Sequence, residues 1–194
     1  MARIEPLAPP YEPDVEEQLV RMMPPGTPPI ALFRTLAKNL PMACAMHGWG
    51  SYELGRSLSL NLRDREIVID RTCARSGCEY EWGVHVAYFA DRAHLDAPQI
   101  ASLAFGDAGD PVWTLPRERL LIRAADELHD TDDLSDRLWA ELRAEFSDRE
   151  LLDLVLLCGW YRAICYVARA ARLAPEPWAP TFAAVLAGGG GGQR

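Results

Sequence analysis

The chain has 194 residues, 49% of them hydrophobic, so it is long and apolar enough to bury the core of one globular domain. Its 20 Lys and Arg residues against 28 Asp and Glu residues give a formal net charge of -8, with no basic block. This balance argues against nucleic acid and anionic membrane as partners and favours a small organic molecule.

The first 29 residues hold many of the prolines, including PPGTPP at 24–29, and are predicted to form an N-terminal arm that wraps over its own core or a neighbouring subunit. Residues 30–187 show helical periodicity without strand alternation, which predicts an all-α domain. Residues 188–194 are rich in glycine and are predicted to form a flexible tail. The predicted helices span 30–39, 41–56, 62–75, 79–94, 97–105, 116–129, 134–145, 148–172 and 177–186.

The five cysteines are odd in number and irregular in spacing, which does not suggest a secreted disulfide framework. The N-terminus has no basic region followed by an apolar one, as a secretory signal would. No uninterrupted apolar stretch is long enough to span a bilayer. We therefore expect a cytoplasmic protein with reduced thiols.

The segment SGCEYEWGVH at 76–85 carries the densest set of reactive side chains. In a helix, Cys78, Glu81 and His85 recur at spacings of three and four residues, which places a thiol, a carboxylate and an imidazole on one stripe. The helix is apolar on nearly every side, so it should be buried and its polar groups hydrogen-bonded. Cys78 lies at the helix start, where the helix dipole favours a thiolate.

The preceding predicted helix has a stripe of its own at spacings of four, three and four residues, made of Leu62, Glu66, Ile69 and Cys73. A helix hairpin through Ser76 and Gly77 could bring Glu66 and Cys73 against the first stripe. Singly, each reactive residue also fits a structural role: an acid near a helix start, a buried thiol or a satisfied core histidine. Their coincidence favours a catalytic site.

Three further residues are candidates for pocket walls. His47 could line a pocket with Trp49 and Tyr52, although a packing role is the more common one for such a residue. Trp82 and Tyr88 lie on the same predicted helix as His85 and could line a pocket or fill it.

Two similar stretches, RDREIVI at 63–69 and SDRELLD at 147–153, each open a long apolar helix and suggest an internal duplication. At this offset of 84 residues, Cys78, Glu81 and His85 correspond to Arg162, Cys165 and Arg169. If the halves are related, only the first half carries the reactive groups. Ser147 and Glu150 are then predicted to form a capping box, a purely structural helix start.

The motif REIVI at 65–69, the interval from Glu66 to Cys78 and CEYEWGVH at 78–85 resemble the carboxymuconolactone decarboxylase and alkylhydroperoxidase D-like (AhpD-like) family. The resemblance extends loosely from Leu32 to Leu173, with GWYRAI at 159–164 as a typical late helix. It implies an all-α fold whose central helices form a site at or near a subunit interface. It also implies a homo-oligomer, a dimer, trimer or hexamer, with no bound cofactor.

The peroxidase branch of that family has a glutamate, a CxxC pair and a histidine four residues after the second cysteine. Glu66, Cys78 and His85 match this signature, whereas Glu81 stands in the place of the second cysteine. A peroxidase cycle needs one thiol to attack the peroxide and another to resolve the sulfenic acid. The sequence therefore departs from the family pattern at position 81, where a peroxidase would need its second thiol.

Two mechanisms remain open. In the first, His85 or Glu81 moves a proton on a small carboxylated or carbonyl substrate and Glu66 orients the histidine, in a decarboxylation, a lactone conversion or an isomerisation. In the second, Cys78 is a peroxidatic thiol that Cys73 or an external thiol resolves. We favour the first, because Glu81 supplies an acid/base group where a resolving thiol is lost.

Two other readings are weaker. A metal site of Glu66, Glu81 and His85 has too few histidines to be favoured, so no metal is expected. An inactive oligomeric scaffold would have its site pocket filled by Trp82 or Tyr88.

Overall fold

The computed structural model describes residues 1–189, which contain ten α-helices and no strand. The predicted all-α class is confirmed. A short 3₁₀ turn at Ala37–Asn39 joins the second helix to the third. The helices are α1 Pro13–Arg21, α2 Ala31–Leu36, α3 Leu40–Glu53, α4 Leu62–Arg75, α5 Glu79–Phe89, α6 Ala97–Phe105, α7 Pro116–Thr131, α8 Asp136–Glu145, α9 Asp148–Ala171 and α10 Phe182–Gly189.

The main differences from the predicted helices lie at the two ends of the chain and at the end of α5. The arm contains α1, whose start combines a proline with acidic residues, a helix signal that the proline-rich context obscured. The structure ends α5 at Phe89 instead of residue 94. There the Leu95 amide donates to the Ala90 carbonyl at 2.9 Å while His94 adopts a left-handed φ of 54°.

The last helix is displaced relative to the prediction at 177–186 and ends at Gly189. Gly188 and Gly189, which were assigned to the flexible tail, therefore belong to α10. The rest of the predicted tail lies outside the described residues.

The arm packs on its own chain. The Arg3 amide donates to the Ala171 carbonyl at 2.7 Å, and Leu19 of α1 is buried in the core. Contact of the arm with a neighbouring subunit stays a prediction.

Helix α4 is the centre of the domain and packs against α5, α6, α7 and α9. Its residues from Asp64 to Cys73 are all buried, although several carry charges. Buried charges require partners, and here the partners come from α4 itself and from α7. The pairs are Asp64 with Arg117, Arg65 with Glu66, and Arg71 with Asp126.

A tight turn folds α5 back against α4. Gly77 adopts a left-handed φ of 60°, and the Cys78 amide donates to the Cys73 carbonyl at 2.9 Å. Glycine adopts this conformation without steric cost, so it ends α4 and allows α5 to begin two residues later. The predicted helix hairpin is thus formed.

Helix α9 begins at the predicted capping box of Ser147 and Glu150. It continues without a turn past Arg162, the position that corresponds to Cys78 at the offset of 84 residues. The two similar stretches therefore both start helices, but only the first leads into a hairpin.

Among the described residues, α9 is the one helix long and apolar enough, by length and composition alone, to cross a membrane. The sequence predicted this helix at 148–172, but no stretch long and apolar enough to span a bilayer. Half of its most apolar window is buried within the protein, where α9 packs against α4, α5, α7 and α8. These contacts are those of a core helix.

Candidate active site

The hairpin brings Glu66 of α4 against His85 of α5. His85 Nδ1 donates to Glu66 Oε2 at 2.8 Å, and both side chains are buried. The other carboxylate oxygen, Oε1, accepts a hydrogen bond from Arg65 Nε at 2.7 Å. Glu66 therefore has a cationic neighbour on each oxygen and is fully paired.

Glu81 lies one helical turn before His85, on its other side. Its Oε1 is 3.6 Å from His85 Nε2, whereas its Oε2 is buried and has no hydrogen-bond partner. An unpaired buried carboxylate oxygen is costly, so native structures rarely keep one without a use. Of the two acidic side chains beside His85, Glu81 is therefore the one that is not fully paired.

The surroundings of His85 favour its protonated form. Burial opposes the charge, but attraction and hydrogen bonding to Glu66, and to a lesser degree Glu81, outweigh burial and raise the pKa of His85 to about 10. At neutral pH His85 is therefore an imidazolium between two carboxylates. Tyr161 and Phe89 pack against its ring, with centroids 4.9 and 5.2 Å away.

Asp70 lies one helical turn after Glu66 and was not singled out from the sequence. It is 1% exposed, and its Oδ1 has no hydrogen-bond partner. Burial and, next, the nearby Glu66 raise the pKa of Asp70 well above its usual value. Both effects favour the neutral form of Asp70, which avoids a second buried negative charge beside Glu66.

A cavity of about 270 Å³ opens beside the cluster, between α2, α3, α5 and α9. Glu81 and His85 lie in its wall, and most of the remaining wall is apolar. No cysteine lines it. The apolar wall includes Leu32, Phe33, Met46, Val84, Phe89 and Ile164.

Of the three residues predicted as pocket walls, two line the cavity and one does not. Tyr88 and His47 line the cavity, and His47 Nε2 lies 3.1 Å from the Arg21 carbonyl oxygen. Trp82 does not line it; it is fully buried, and its ring lies 4.8 Å from that of Phe182. Neither Trp82 nor Tyr88 fills the cavity, so the feature expected of an inactive scaffold is missing.

The burial and the pKa of the Cys78 thiol differ from what the sequence predicts. Cys78 caps the start of α5, as expected, but its side chain is 1% exposed. A hydrogen bond with Cys165 and burial raise the pKa of Cys78 far above its usual value. The expectation of a stabilised thiolate is wrong, because the cost of burying the charge exceeds the effect of the helix dipole.

Cys165 of α9 joins this thiol group, a neighbour that the sequence analysis did not assign. Its sulfur is 3.7 Å from that of Cys73, and burial raises the pKa of Cys73 to about 12. The sequence aligns Cys165 with Glu81 at the offset of 84 residues, but this correspondence does not predict the contact with Cys73. Within residues 1–189, no group of three or more His, Cys, Asp or Glu side chains is arranged to hold a metal ion.

No family model matches the chain, and no curated protein matches it. Solved structures show the likeness instead. An uncharacterized peroxidase-related protein from Silicibacter sp. TM1040 has a TM-score of 0.76 at 18% identity, over 89% of this chain and 90% of that one. An uncharacterized peroxidase-related protein with an alkylhydroperoxidase AhpD core, from Ralstonia eutropha JMP134, has a TM-score of 0.76 at 16% identity, over 90% and 93%.

A third similar structure is the debrominase Bmp8 in its apo form, with a TM-score of 0.64 at 18% identity over 95% of this chain and 96% of that one. A cysteine-to-alanine variant of Bmp8 was solved in complex with 2,3,4-tribromopyrrole. At these identities the likeness concerns the fold. It confirms the AhpD-like fold that the sequence resemblance implies.

Proposed function

We propose that this protein with an AhpD-like fold is an acid/base enzyme that transfers protons on a small, largely apolar carbonyl compound. Glu81 and His85 are its proposed catalytic residues. The observation that carries the proposal is that the cavity of about 270 Å³ meets Glu81 and His85 but no cysteine. An AhpD-like fold is compatible with this proposal, since similar structures are named both peroxidase-related and debrominase.

The two side chains suit the two halves of one proton transfer. His85 holds a proton on Nε2 at neutral pH and can donate it to the carbonyl oxygen of a substrate. Glu81 Oε2, which has no partner, can accept a proton from the adjacent carbon. A β,γ-unsaturated ketone becomes a dienol in this step. Return of the proton from Glu81 to the γ-carbon, and of the hydroxyl proton to His85, completes an isomerisation to the α,β-unsaturated ketone.

The surroundings of Glu81 and His85 favour a neutral substrate. The cavity wall is mostly apolar, and a free carboxylate beside Glu81 would place two poorly solvated anions together. A ketone or lactone avoids this repulsion. Lactone conversion uses the same protonated carbonyl and also fits this site, whereas decarboxylation of a keto acid would bring a carboxylate to it. We therefore propose proton transfer as the reaction class and name no single reaction within it.

Proton exchange tests the proposal without knowledge of the natural substrate. Small cyclic ketones and lactones are incubated with the protein in D₂O, and loss of the proton signal next to the carbonyl is followed by NMR. We expect wild-type protein to accelerate the exchange of at least one compound. Glu81→Gln and His85→Gln should each lower that acceleration about 10²- to 10⁴-fold, the usual contribution of acid/base catalysis.

Cys78→Ser is the matched control, because Cys78 lies on the same stripe of the hairpin but outside the cavity wall. It should retain most of the exchange activity. If Cys78→Ser abolishes activity while Glu81→Gln retains it, the acid/base proposal is wrong. The mass of any ligand that co-purifies with the protein would identify the substrate more closely.

A thiol peroxidase is the second candidate, favoured by the cluster of Cys73, Cys78 and Cys165. Cys78 would attack a peroxide ROOH to give a sulfenic acid and ROH, and a neighbouring thiol would displace water to form a disulfide. An external dithiol would then restore the reduced protein. Cys165, which forms a hydrogen bond with Cys78, would be a resolving thiol in addition to the Cys73 that the sequence suggested. The raised pKa values of these thiols oppose this route.

Assembly into a homo-oligomer is part of the proposal, because the sequence resemblance implies it. Exposed apolar side chains on α3 and α9, among them Trp49, Leu152 and Leu156, provide a surface compatible with a second copy.

A further inference from the structure

A second cavity lies beside the turn between α4 and α5, with Ser76 in its wall. It has a volume of about 510 Å³ and is formed where the end of α4 approaches the end of α7 and the last turns of α9. It shares no lining residue with the cavity beside His85. Whatever occupies it is therefore separate from the proposed proton-transfer chemistry.

The wall of this second cavity is rich in positive charge. Arg75, Arg162 and Arg169 all line it. Arg75 pairs with Asp126 and Asp130, and Arg162 pairs with Asp132.

Arg169 has no carboxylate partner within residues 1–189, and its NH1 donates to the Ser76 carbonyl at 2.6 Å. A guanidinium group has five N–H donors, so this bond leaves most of the Arg169 donors available.

Capping of helix ends accounts for only part of this arrangement. Arg162 NH1 donates to the carbonyls of Leu128 and His129 near the end of α7, and Arg169 donates to the carbonyl that follows α4. Such bonds offset the negative ends of the helix dipoles. They do not explain why the three guanidinium groups surround an open volume, or why neighbouring polar atoms have no partner.

Those polar atoms belong to Ser76 and His129, which both line the cavity. Ser76 is 8% exposed, and its Oγ has no hydrogen-bond partner. His129 Nδ1 is likewise buried without a partner. Burial, Arg75 and Arg162 lower the pKa of His129, which agrees with a positive potential at this position. A buried hydroxyl and guanidinium donors together match the acceptors of an oxyanion.

We propose that this second cavity binds a small oxyanion, a phosphate or carboxylate group, between Arg162, Arg169 and Ser76. The ligand satisfies the Ser76 hydroxyl and the unused donors of Arg169. It also ties the α4–α5 turn, which carries Ser76, to α9. Binding should therefore stabilise the hairpin that holds Glu66 and His85.

Calorimetric titration with inorganic phosphate and, separately, with citrate tests this proposal on the full chain. Sodium chloride at equal ionic strength controls for screening, since a general salt effect does not saturate at one ligand per chain. We expect saturable binding of at least one probe and a rise of Tm with its concentration. Phosphate binding alone would assign a phosphate ligand, and citrate binding alone a carboxylate ligand.

Arg162→Gln/Arg169→Gln should weaken this binding about tenfold or more, since charge-assisted hydrogen bonds are lost. Ser76→Ala leaves every ion pair in place and should also weaken binding. Arg143→Gln, which removes an exposed arginine of α8 paired with Asp148, is the matched control and should bind as wild type does. The proposal would be overturned if wild type showed no saturable binding, or if Ser76→Ala and the double variant both bound the probe as tightly as wild type.

Discussion

His85 donates a 2.8 Å hydrogen bond from Nδ1 to Glu66, and neither side chain is more than 4% exposed. This bond fixes the orientation of the imidazole ring, so that Nε2 faces Glu81 and the cavity. Glu66 does not line the cavity. It is therefore a positioning residue, which acts on a substrate only through His85.

The first prediction concerns Glu66→Gln. Removal of the carboxylate should lower the pKa of His85 by several units, because burial is then opposed mainly by Glu81. We expect the His85 ring to titrate near neutral pH in NMR spectra, and proton-exchange activity to fall about 100-fold. Glu16→Gln, on the exposed face of α1, should leave both measurements unchanged. If Glu66→Gln loses activity while the pKa of His85 stays unchanged, Glu66 does not act by raising that pKa.

The second prediction concerns stability above neutral pH. The pKa of His85 is raised from 6.5 in the unfolded chain to about 10 in the fold, so its protonation stabilises the fold most fully below pH 6.5. This stabilisation is lost as the pH rises from 6.5 towards 10. Urea denaturation should show a free energy of unfolding about 3 kcal/mol lower at pH 9 than at pH 6.5. In His85→Gln the decline over this interval should be largely absent; an equal decline would assign it to other groups.

The third prediction concerns Glu53, a buried carboxyl group at the end of α3. Neither of its oxygens has a hydrogen-bond partner, and burial, then Asp153, raises its pKa to about 7. The unfolded chain releases this proton more easily, so the fold loses stability as the pH rises from about 4.5 to 7. Glu53→Met should raise the free energy of unfolding by about 1 to 3 kcal/mol at pH 8. The gain should shrink below pH 5, and exposed Glu145→Met should show no such gain.

The fourth prediction concerns thiol reactivity. Of the five free cysteines, only Cys44 is exposed, and Cys73, Cys78, Cys158 and Cys165 are buried. A native-state titration with a disulfide reagent should therefore modify one thiol rapidly, and all five only in denaturant. Rapid native modification at Cys78 or Cys165, located by mass spectrometry, would favour the peroxidase route.

The fifth prediction concerns Tyr80, which links α5 to two other segments. Its hydroxyl donates to Glu176 Oε1 at 2.7 Å and accepts from the Leu32 amide at 2.9 Å. Tyr80→Phe leaves that buried amide without a partner and should lower the free energy of unfolding by about 1 to 3 kcal/mol. Because Leu32 lines the cavity, ligand binding there should weaken as well. Tyr11→Phe, in the half-exposed arm, should change the urea midpoint little.

The helices could be predicted because the start and end of most of them depend on residues that are close along the chain. The capping box of Ser147 and Glu150 predicted the start of α9, and Gly77 predicted the turn between α4 and α5. The helix α1 was missed because its proline-rich surroundings outweighed its own start signals. Its burial of Leu19 is a tertiary contact that the local sequence does not reveal.

The candidate site was predictable to the extent that helical spacing determines it. Glu81 and His85 had to share one stripe of α5, and a hairpin had to place Glu66 opposite them. Asp70 and Cys165 were not predicted, since their roles depend on how closely α4 and α9 approach each other. The same approach buries Cys78 beside Cys165 and reverses the expectation of a reactive thiolate.

The sequence by itself therefore determined the all-α class, the hairpin and the stripe of Cys78, Glu81 and His85, because these follow from local backbone preferences and the period of the helix. Only the tertiary structure decided which members of that stripe meet the cavity. Packing of α2, α3 and α9 around α5 leaves open space beside Glu81 and His85 and closes it over Cys78. Solvation and charge at a side chain depend on such packing, so the chemistry of the stripe was fixed by the fold.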